Sequence, residues 1–414
     1  MIAWLREGSP EARKALVAAS LGWMLDSMDV MLYAMVLAHL MRSLSLSTAT
    51  AGLLGSLTLL SSAVGGVVFG VLADRLGRTR ALSASILVYS VFTAACGLAN
   101  NVTQLAIFRV LLGLGMGGEW ATGAAMVAET WPSEHRGKAL GVMQSAWAVG
   151  YAIAAIVTAI VLPRFGWRAV FFVGVLPALV TFWILRKVPE PEAWSRTHER
   201  RPVTAELRGL LSRPWRRWVV ITTSVNAATM FAWWGLFTWI PSYLALPPEK
   251  GGAGLDIVTT STWVVLMQVG MWFGYVTFGG LADRFGRKRT YISYLVVAAA
   301  LVPLYGATRD PTLLLLLGPP VAFFGTGYFV GFGVITAEIF PTAIRATAQG
   351  LTYNFGRGVS ALAPFVVGSL AVRRGLGFAL SLVAIGFVVA AVLALLLPET
   401  RGREIDEPPE RLPL

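Results

Sequence analysis

The chain has 414 residues, of which 56% are hydrophobic and only 14% charged. A water-soluble core cannot hide that much apolar surface, so the composition excludes a soluble multidomain protein and makes lipid the solvent. The net charge of +12 does not mark a nucleic-acid binder, because the basic residues sit in short loops between apolar runs.

In chain order, apolar runs fall at 15–40, 50–73, 81–99, 104–130, 138–162, 167–187, 217–246, 258–282, 290–307, 313–340, 346–372 and 376–397. Each is near or above the roughly 20 residues needed to cross the hydrocarbon core. Twelve spans place both termini on one side. Of the 34 lysines and arginines, 25 fall in the termini and the loops on that side. The opposite loops hold Arg42, Arg164, Arg168, Lys250, Arg309, Arg373 and Arg374, while Arg109 and Arg357 lie inside spans. The positive-inside rule therefore predicts cytoplasmic termini and a multi-pass protein of the bacterial inner (plasma) membrane.

The start of the chain does not read as a cleavable signal peptide, since its first apolar run is too long for an h-region. The lone Cys96 lies in an apolar run and reads as a packing residue. His39, His135 and His198 are scattered without ligand spacing, so neither a metal nor a cofactor is expected. The polar segment 188–216 predicts a cytoplasmic linker between an N-terminal six-helix bundle (1–187) and a C-terminal one with its tail (217–414). A short amphipathic helix is expected near 203–212.

The two halves repeat. Ala73-Asp74-Arg75-Leu76-Gly77-Arg78 recurs as Ala282-Asp283-Arg284-Phe285-Gly286-Arg287, and Ala128-Glu129 with Pro132 and Arg136 recurs as Ala337-Glu338 with Pro341 and Arg345. Both recurrences have an offset of 209, which indicates a duplicated unit. Parallel halves related by an axis along the membrane normal are a transporter architecture.

GVLADRLGRTR (70–80) resembles the loop signature of the major facilitator superfamily, GGLADRFGRKR (279–289) its second copy, and FRVLLGLGMGGEW (108–120) its fourth-helix motif. The resemblance covers the whole chain. It implies an all-α membrane fold of twelve helices in two pseudo-symmetric halves. It also implies that Asp74, Arg75, Arg78, Glu129, Arg136, Asp283, Arg284, Arg287, Glu338 and Arg345 form a cytoplasmic gate, with Glu129–Arg136 and Glu338–Arg345 as matching pairs. Asp26-Ser27-Met28-Asp29 and Gly117-Gly118-Glu119-Trp120 are similar to motifs of the sialate and metabolite (organic acid):proton symporter groups. The fifth helix lacks the Gly-Pro-x-x-Gly-Gly of drug exporters, and PEPEAW (189–194) only partly resembles the sugar-porter sequence.

Five ionisable residues lie well inside spans: Asp26, Asp29, Arg109, Glu119 and Arg357. A charge at mid-bilayer costs on the order of 3 kcal/mol even on lenient scales, so these side chains should face a cavity or one another. Asp26, Asp29 and Tyr33 share one helical face. A carboxyl group screened from water holds a proton more readily, and a nearby cation reverses this. Asp29, Asp26, Glu119 and Arg109 are therefore expected to couple a proton. The sugar-porter resemblance pairs Asp29 with Arg109, although at 1.5 Å per residue Arg109 lies roughly 10 Å outward. Arg357, with no acid in its own half, calls for an anion held by its planar fork. The paired Asn354 and Tyr353, together with Tyr33, Gln144, Trp147, Asn226, Trp233, Gln268 and Tyr328, are expected to complete a substrate site.

No metal set, nucleophile–base pair or phosphate loop appears, so an enzyme is not expected. The expected activity is proton-coupled import of a small organic anion (a mono- or dicarboxylate, aromatic acid or sugar acid) by alternating access. Sugar:proton symport and proton-driven export are the alternatives. The expected partners are the substrate, a proton and lipid, for a monomeric protein.

Overall fold

The computed structural model describes residues 3–131, 133–190, 213–340 and 342–401. All regular structure among them is helical. The first set of helices comprises α1 (Ala3–Glu7), α2 (Pro10–Ser43), α3 (Thr48–Leu76), α4 (Arg78–Cys96), α5 (Val102–Thr130), α6 (Ser133–Val173) and α7 (Pro177–Lys187). The second comprises α8 (Arg213–Phe237), α9 (Ile240–Ala245), α10 (Ile257–Phe285), α11 (Arg287–Ala307), α12 (Pro311–Thr326), α13 (Tyr328–Ile339), α14 (Thr342–Ser360), α15 (Leu362–Arg374), α16 (Leu376–Leu382) and α17 (Ala384–Ala394).

Among the described residues, eleven helical stretches are long and apolar enough to cross a membrane. One of them, Lys138–Lys187, runs 50 residues and breaks at Gly166, whose φ of 74° no α-helix accommodates. The break falls between the expected runs at 138–162 and 167–187. The helix expected near 203–212 lies outside the described residues.

Helices form here because lipid offers no partner to a bare backbone amide. Where several of them leave the apolar phase, a polar side chain takes up the first free N–H groups. Ser9 accepts from Ala12 at 3.0 Å, Asn101 from Gln104 at 2.9 Å, and Asp310 from Leu313 at 2.9 Å. Asp256 does the same for Val258 and Thr259, and its bonds to Thr259 hold its carboxyl below the usual range. Val64, Val67, Leu179, Phe182, Ile385 and Val392 stand exposed on the helix exteriors, as a lipid-facing surface requires.

Within the first set α2 packs on α5 and α6, α3 on α5, and α4 on α5 and α7. Within the second, α8 packs on α14 and α17, α10 on α12, and α11 on α12, α16 and α17. The sets meet where α3 lies on α14 and α15 and where α6 lies on α10. This seam is tight at the end that carries the turn 44–47. There the Thr48 hydroxyl donates to the Gly368 carbonyl at 2.7 Å, and the Phe365 N–H donates to Ser56 Oγ at 3.2 Å. A Cβ on Gly52 would lie 2.2 Å from the Pro364 carbonyl oxygen, so only glycine allows this approach. Towards the end that carries Ala3 and Arg401, a Cβ on Gly70, Gly141 or Gly350 would meet nothing within 4 Å. The described contacts between the two sets thus close one end, while open space borders these glycines towards the other.

The repeat reappears as matched ion pairs between the arginine of each loop signature and the repeated glutamate. Arg78 Nη2 binds Glu129 Oε1 at 2.9 Å, and its counterpart Arg287 Nη2 binds Glu338 Oε1 at 3.3 Å. Arg287 also pairs with Asp283. Arg75 is exposed, and the Arg284 guanidinium lies over the Phe285 ring. The side chains of Asp74, Arg136 and Arg345 lie outside the described residues. The structure adds a third repeated acid that the motifs did not reveal. Glu190 accepts from the N–H groups of Thr79 and Arg80, while Glu399, 209 positions on, accepts from that of Arg287. Each acid sits at a helix N-terminus, where the dipole favours a negative charge. Gly77 and Gly286, with φ of 113° and 104°, make the turns that allow this contact.

Candidate functional site

The five buried charges do not form one cluster. Arg357 on α14 is 1% exposed, and its Nε and Nη1 have no hydrogen-bond partner. Asp26 on α2 and Glu119 on α5 both lie within electrostatic reach of it and of each other. No ion pair within 4.0 Å joins Arg357 to an acid among the described residues. All four oxygens of these two carboxyl groups are buried and accept no hydrogen bond from a protein donor. Glycine makes the arrangement possible, because a Cβ on Gly22 would lie 2.5 Å from Glu119 Oε1.

Asp29, one turn further along α2, stands apart from Arg357. Its oxygens are also buried without a hydrogen-bond partner, and the nearby Thr93 hydroxyl donates instead to the Tyr89 carbonyl at 2.8 Å. The expected Asp29–Arg109 pair does not form in this structure. Arg109 points outward, its guanidinium 3.6 Å over the Tyr33 ring and its Nε donating to the Leu54 carbonyl at 3.2 Å. The depth difference between the two residues keeps them apart, since a rise of about 10 Å is near the limit of an arginine side chain.

Arg357 forms part of the wall of a chamber between the two helix sets, whose free space of about 20 Å³ is room for about one water molecule in this conformation. Aromatic rings make up most of the remaining wall. Trp23 from α2 packs on Trp147 from α6 at 4.6 Å, and Trp147 meets Trp233 and Trp234 of α8 edge-on at 5.7 and 6.1 Å. Tyr275, Phe329 and Tyr353 complete it, with Met230 and Gln144 between them. Tyr353 is stacked on Trp120 with centroids 3.8 Å apart and planes 9° from parallel. The Trp120 indole donates to Gln144 Oε1 at 3.3 Å. The Trp120–Tyr353 stack joins the two helix sets beneath the chamber, on the side towards the open end.

Five of the ten expected substrate residues thus line the chamber: Arg357, Tyr353, Gln144, Trp147 and Trp233. The others serve elsewhere. Asn226 donates to the Thr352 carbonyl at 3.1 Å and ties α8 to α14. Asn354 donates to the Gly350 carbonyl, and its Oδ1 rests against Gly66 of α3. The Tyr328 hydroxyl donates to the Thr229 carbonyl inside the second set. Gln268 is buried in α10 away from the chamber, and Tyr33 lines a second cavity with Arg109. The sequence reading missed Trp23, Met230, Trp234, Tyr275 and Phe329. Trp23 carried a usable signal, lying one turn before Asp26 on the same helical face.

Many apolar membrane-crossing helices, with an aromatic chamber and unpaired buried charge between two helix sets, define a multi-pass membrane transporter. The chain belongs to the major facilitator superfamily, whose family model matches residues 19–251 and 245–413. Its relatives include the "Probable 4-methylmuconolactone transporter" of Cupriavidus pinatubonensis, 36% identical over 98% of this chain and 95% of that one. The niacin transporter NiaP of Acinetobacter baylyi is 30% identical, covering 94% and 95%. Among solved structures, a D-xylose–proton symporter superposes with a TM-score of 0.76 at 21% identity, covering 95% of this chain and 99% of that one. This last likeness concerns the fold.

Proposed function

We propose that this transporter is a proton-coupled symporter that imports a small, flat organic anion by alternating access. The observation that carries the reading is Arg357, a buried guanidinium with unpartnered nitrogens at the wall of an aromatic chamber and two carboxyl groups within reach. A carboxylate on the planar fork would satisfy those nitrogens. The tryptophan and tyrosine faces favour a ring or conjugated chain over a bulky neutral sugar. Niacin, named for one relative, is a carboxylate on a flat ring, which agrees with this class.

Coupling follows from counting charge. With Asp26 and Glu119 both ionised, the group that includes Arg357 carries a net negative charge and repels an anion. One proton neutralises it, and a second leaves Arg357 as the dominant field. Substrate and proton therefore bind cooperatively through one cation. Asp29, one turn outward, extends the same acidic face towards the outer side.

In this reading the break at Gly166 divides two crossings, which gives twelve in all. The chain is then two six-helix halves, 1–187 and 217–414, joined by the linker 188–216. Its termini are cytoplasmic, in the inner membrane of a bacterium, and the protein acts as a monomer with the proton as sole coupling ion. The closed end then faces outward and the structure is inward-facing. The Trp120–Tyr353 stack forms the inner floor of the chamber.

In proteoliposomes, adding benzoate or nicotinate outside should draw protons inward and alkalinise the external medium. If the acid enters without proton movement, symport is wrong. A milder probe is Gly22→Ala, which must displace the Glu119 carboxyl while leaving every charge in place. The pH profile of uptake should shift in this variant at near-normal protein yield. An unchanged profile would remove Glu119 from the coupling group.

A further inference from the structure

Two helices lead from the open space at one end of the molecule to the chamber. On α14 the order is Gly350, Tyr353, Arg357, and on α6 it is Gly141, Gln144, Trp147, each step about one helical turn. A Cβ on Gly350 or Gly141 would meet nothing within 4 Å, whereas Arg357 and Trp147 belong to the chamber wall. Tyr353 and Gln144 therefore stand at the boundary between open space and chamber.

Trp120 of α5 bridges them. Its indole donates to Gln144 Oε1 at 3.3 Å within the first helix set, and its ring lies against that of Tyr353 from the second, with centroids 3.8 Å apart and planes 9° from parallel. Trp120 is only partly buried, as a residue bordering open space must be, while Tyr353 is buried. The Arg357 guanidinium lies 5.7 Å from the centroid of the same Tyr353 ring. Behind the stack the chamber has free space for about one water, so the rings have no room to swing inward. They have room only towards the open end, where Gly141 and Gly350 leave it.

We propose that the Trp120–Tyr353 stack is a local gate, held shut by Gln144, that must part before anything passes between the chamber and the open end, with the helix sets left where they stand. Two flat rings in contact keep water from the guanidinium behind them, and a single aromatic pair is weak enough to separate without repacking a helix. Gln144 acts as a positioning residue, since its side-chain carbonyl fixes the Trp120 indole in the plane that meets Tyr353. The gate serves any cargo, and only its sidedness rests on the reading of the open end as cytoplasmic.

Met230 lines the chamber and is no part of the stack, so Met230→Cys in a Cys96→Ala background of the full-length chain reports access to it. In inside-out membrane vesicles, labelling by the membrane-impermeant sulfonatoethyl methanethiosulfonate should be slow with the stack intact. Adding Tyr353→Ala or Trp120→Ala should make it about tenfold faster, the equivalent of one aromatic pair. Tyr353→Phe keeps the ring and should stay slow. Gln144→Met leaves both rings but removes the acceptor, so labelling should be about fivefold faster. This variant decides the matter if the alanine variants do not fold. Equal rates with and without these substitutions overturn the gate, and so does Tyr353→Phe labelling as fast as Tyr353→Ala. Acceleration confined to right-side-out vesicles keeps the gate and overturns the cytoplasmic placement of the open end.

Discussion

Arg357→Gln is expected to weaken binding of a carboxylate substrate by at least about thirtyfold while the protein still folds. Truncating one member of a buried, hydrogen-bonded charge pair costs about 2–5 kcal/mol, and each 1.4 kcal/mol is about tenfold in affinity. The substitution also leaves the buried Asp26 and Glu119 with no cation in reach. Uptake would then lose its pH dependence along with its affinity. Arg357→Lys separates charge from shape. It keeps a cation beside the acids but loses the planar fork, so binding should fall while the pH response survives. Titration calorimetry with benzoate or nicotinate measures both variants. Wild-type affinity in Arg357→Gln would remove the anion role from this residue and with it the proposed substrate class.

The extent to which this was legible in the sequence differs between the rim and the centre. The membrane class, the run boundaries and the 209-residue repeat follow from composition and identity alone, because lipid enforces long apolar helices whatever their packing. Even so, the repeat did not specify its own partners. Glu129 binds Arg78, 51 positions away, since helices fold acids onto neighbours that linear spacing does not reveal. The same holds for Glu190 and Glu399, whose identical offset goes unnoticed because too few residues around them match.

At the centre, the burial of five charges was legible from cost, but their grouping was not. Asp29 and Arg109 looked like partners by family resemblance, and only the orientation of α5 against α3 turns Arg109 to Leu54 and Tyr33. The chamber aromatics were harder still. With 15 tryptophans and 21 phenylalanines in an apolar chain, Trp234 or Phe329 cannot be told from a packing residue until the helix faces are known.

The second large effect concerns the proton. Glu119→Gln is expected to leave downhill exchange of substrate running while abolishing accumulation against a gradient. The amide keeps the volume and hydrogen-bonding reach of a protonated carboxyl group but cannot release a proton, so it fixes the site in its substrate-accepting charge state. Binding in wild type should strengthen by up to about tenfold per pH unit as pH falls through the range where one carboxyl takes up its proton. In Glu119→Gln that slope should flatten. Asp26 shares Arg357 with Glu119, so Asp26→Asn should flatten it in a similar way, and the double variant should add little, as expected of groups that titrate together. Asp29→Asn provides the contrast. Its carboxyl lies beside Asp26 and Thr93 rather than against Arg357, so it should alter the rate of proton delivery more than the slope of binding with pH. A pH slope lost in Asp29→Asn but kept in both Glu119→Gln and Asp26→Asn would move the coupling proton one turn outward along α2.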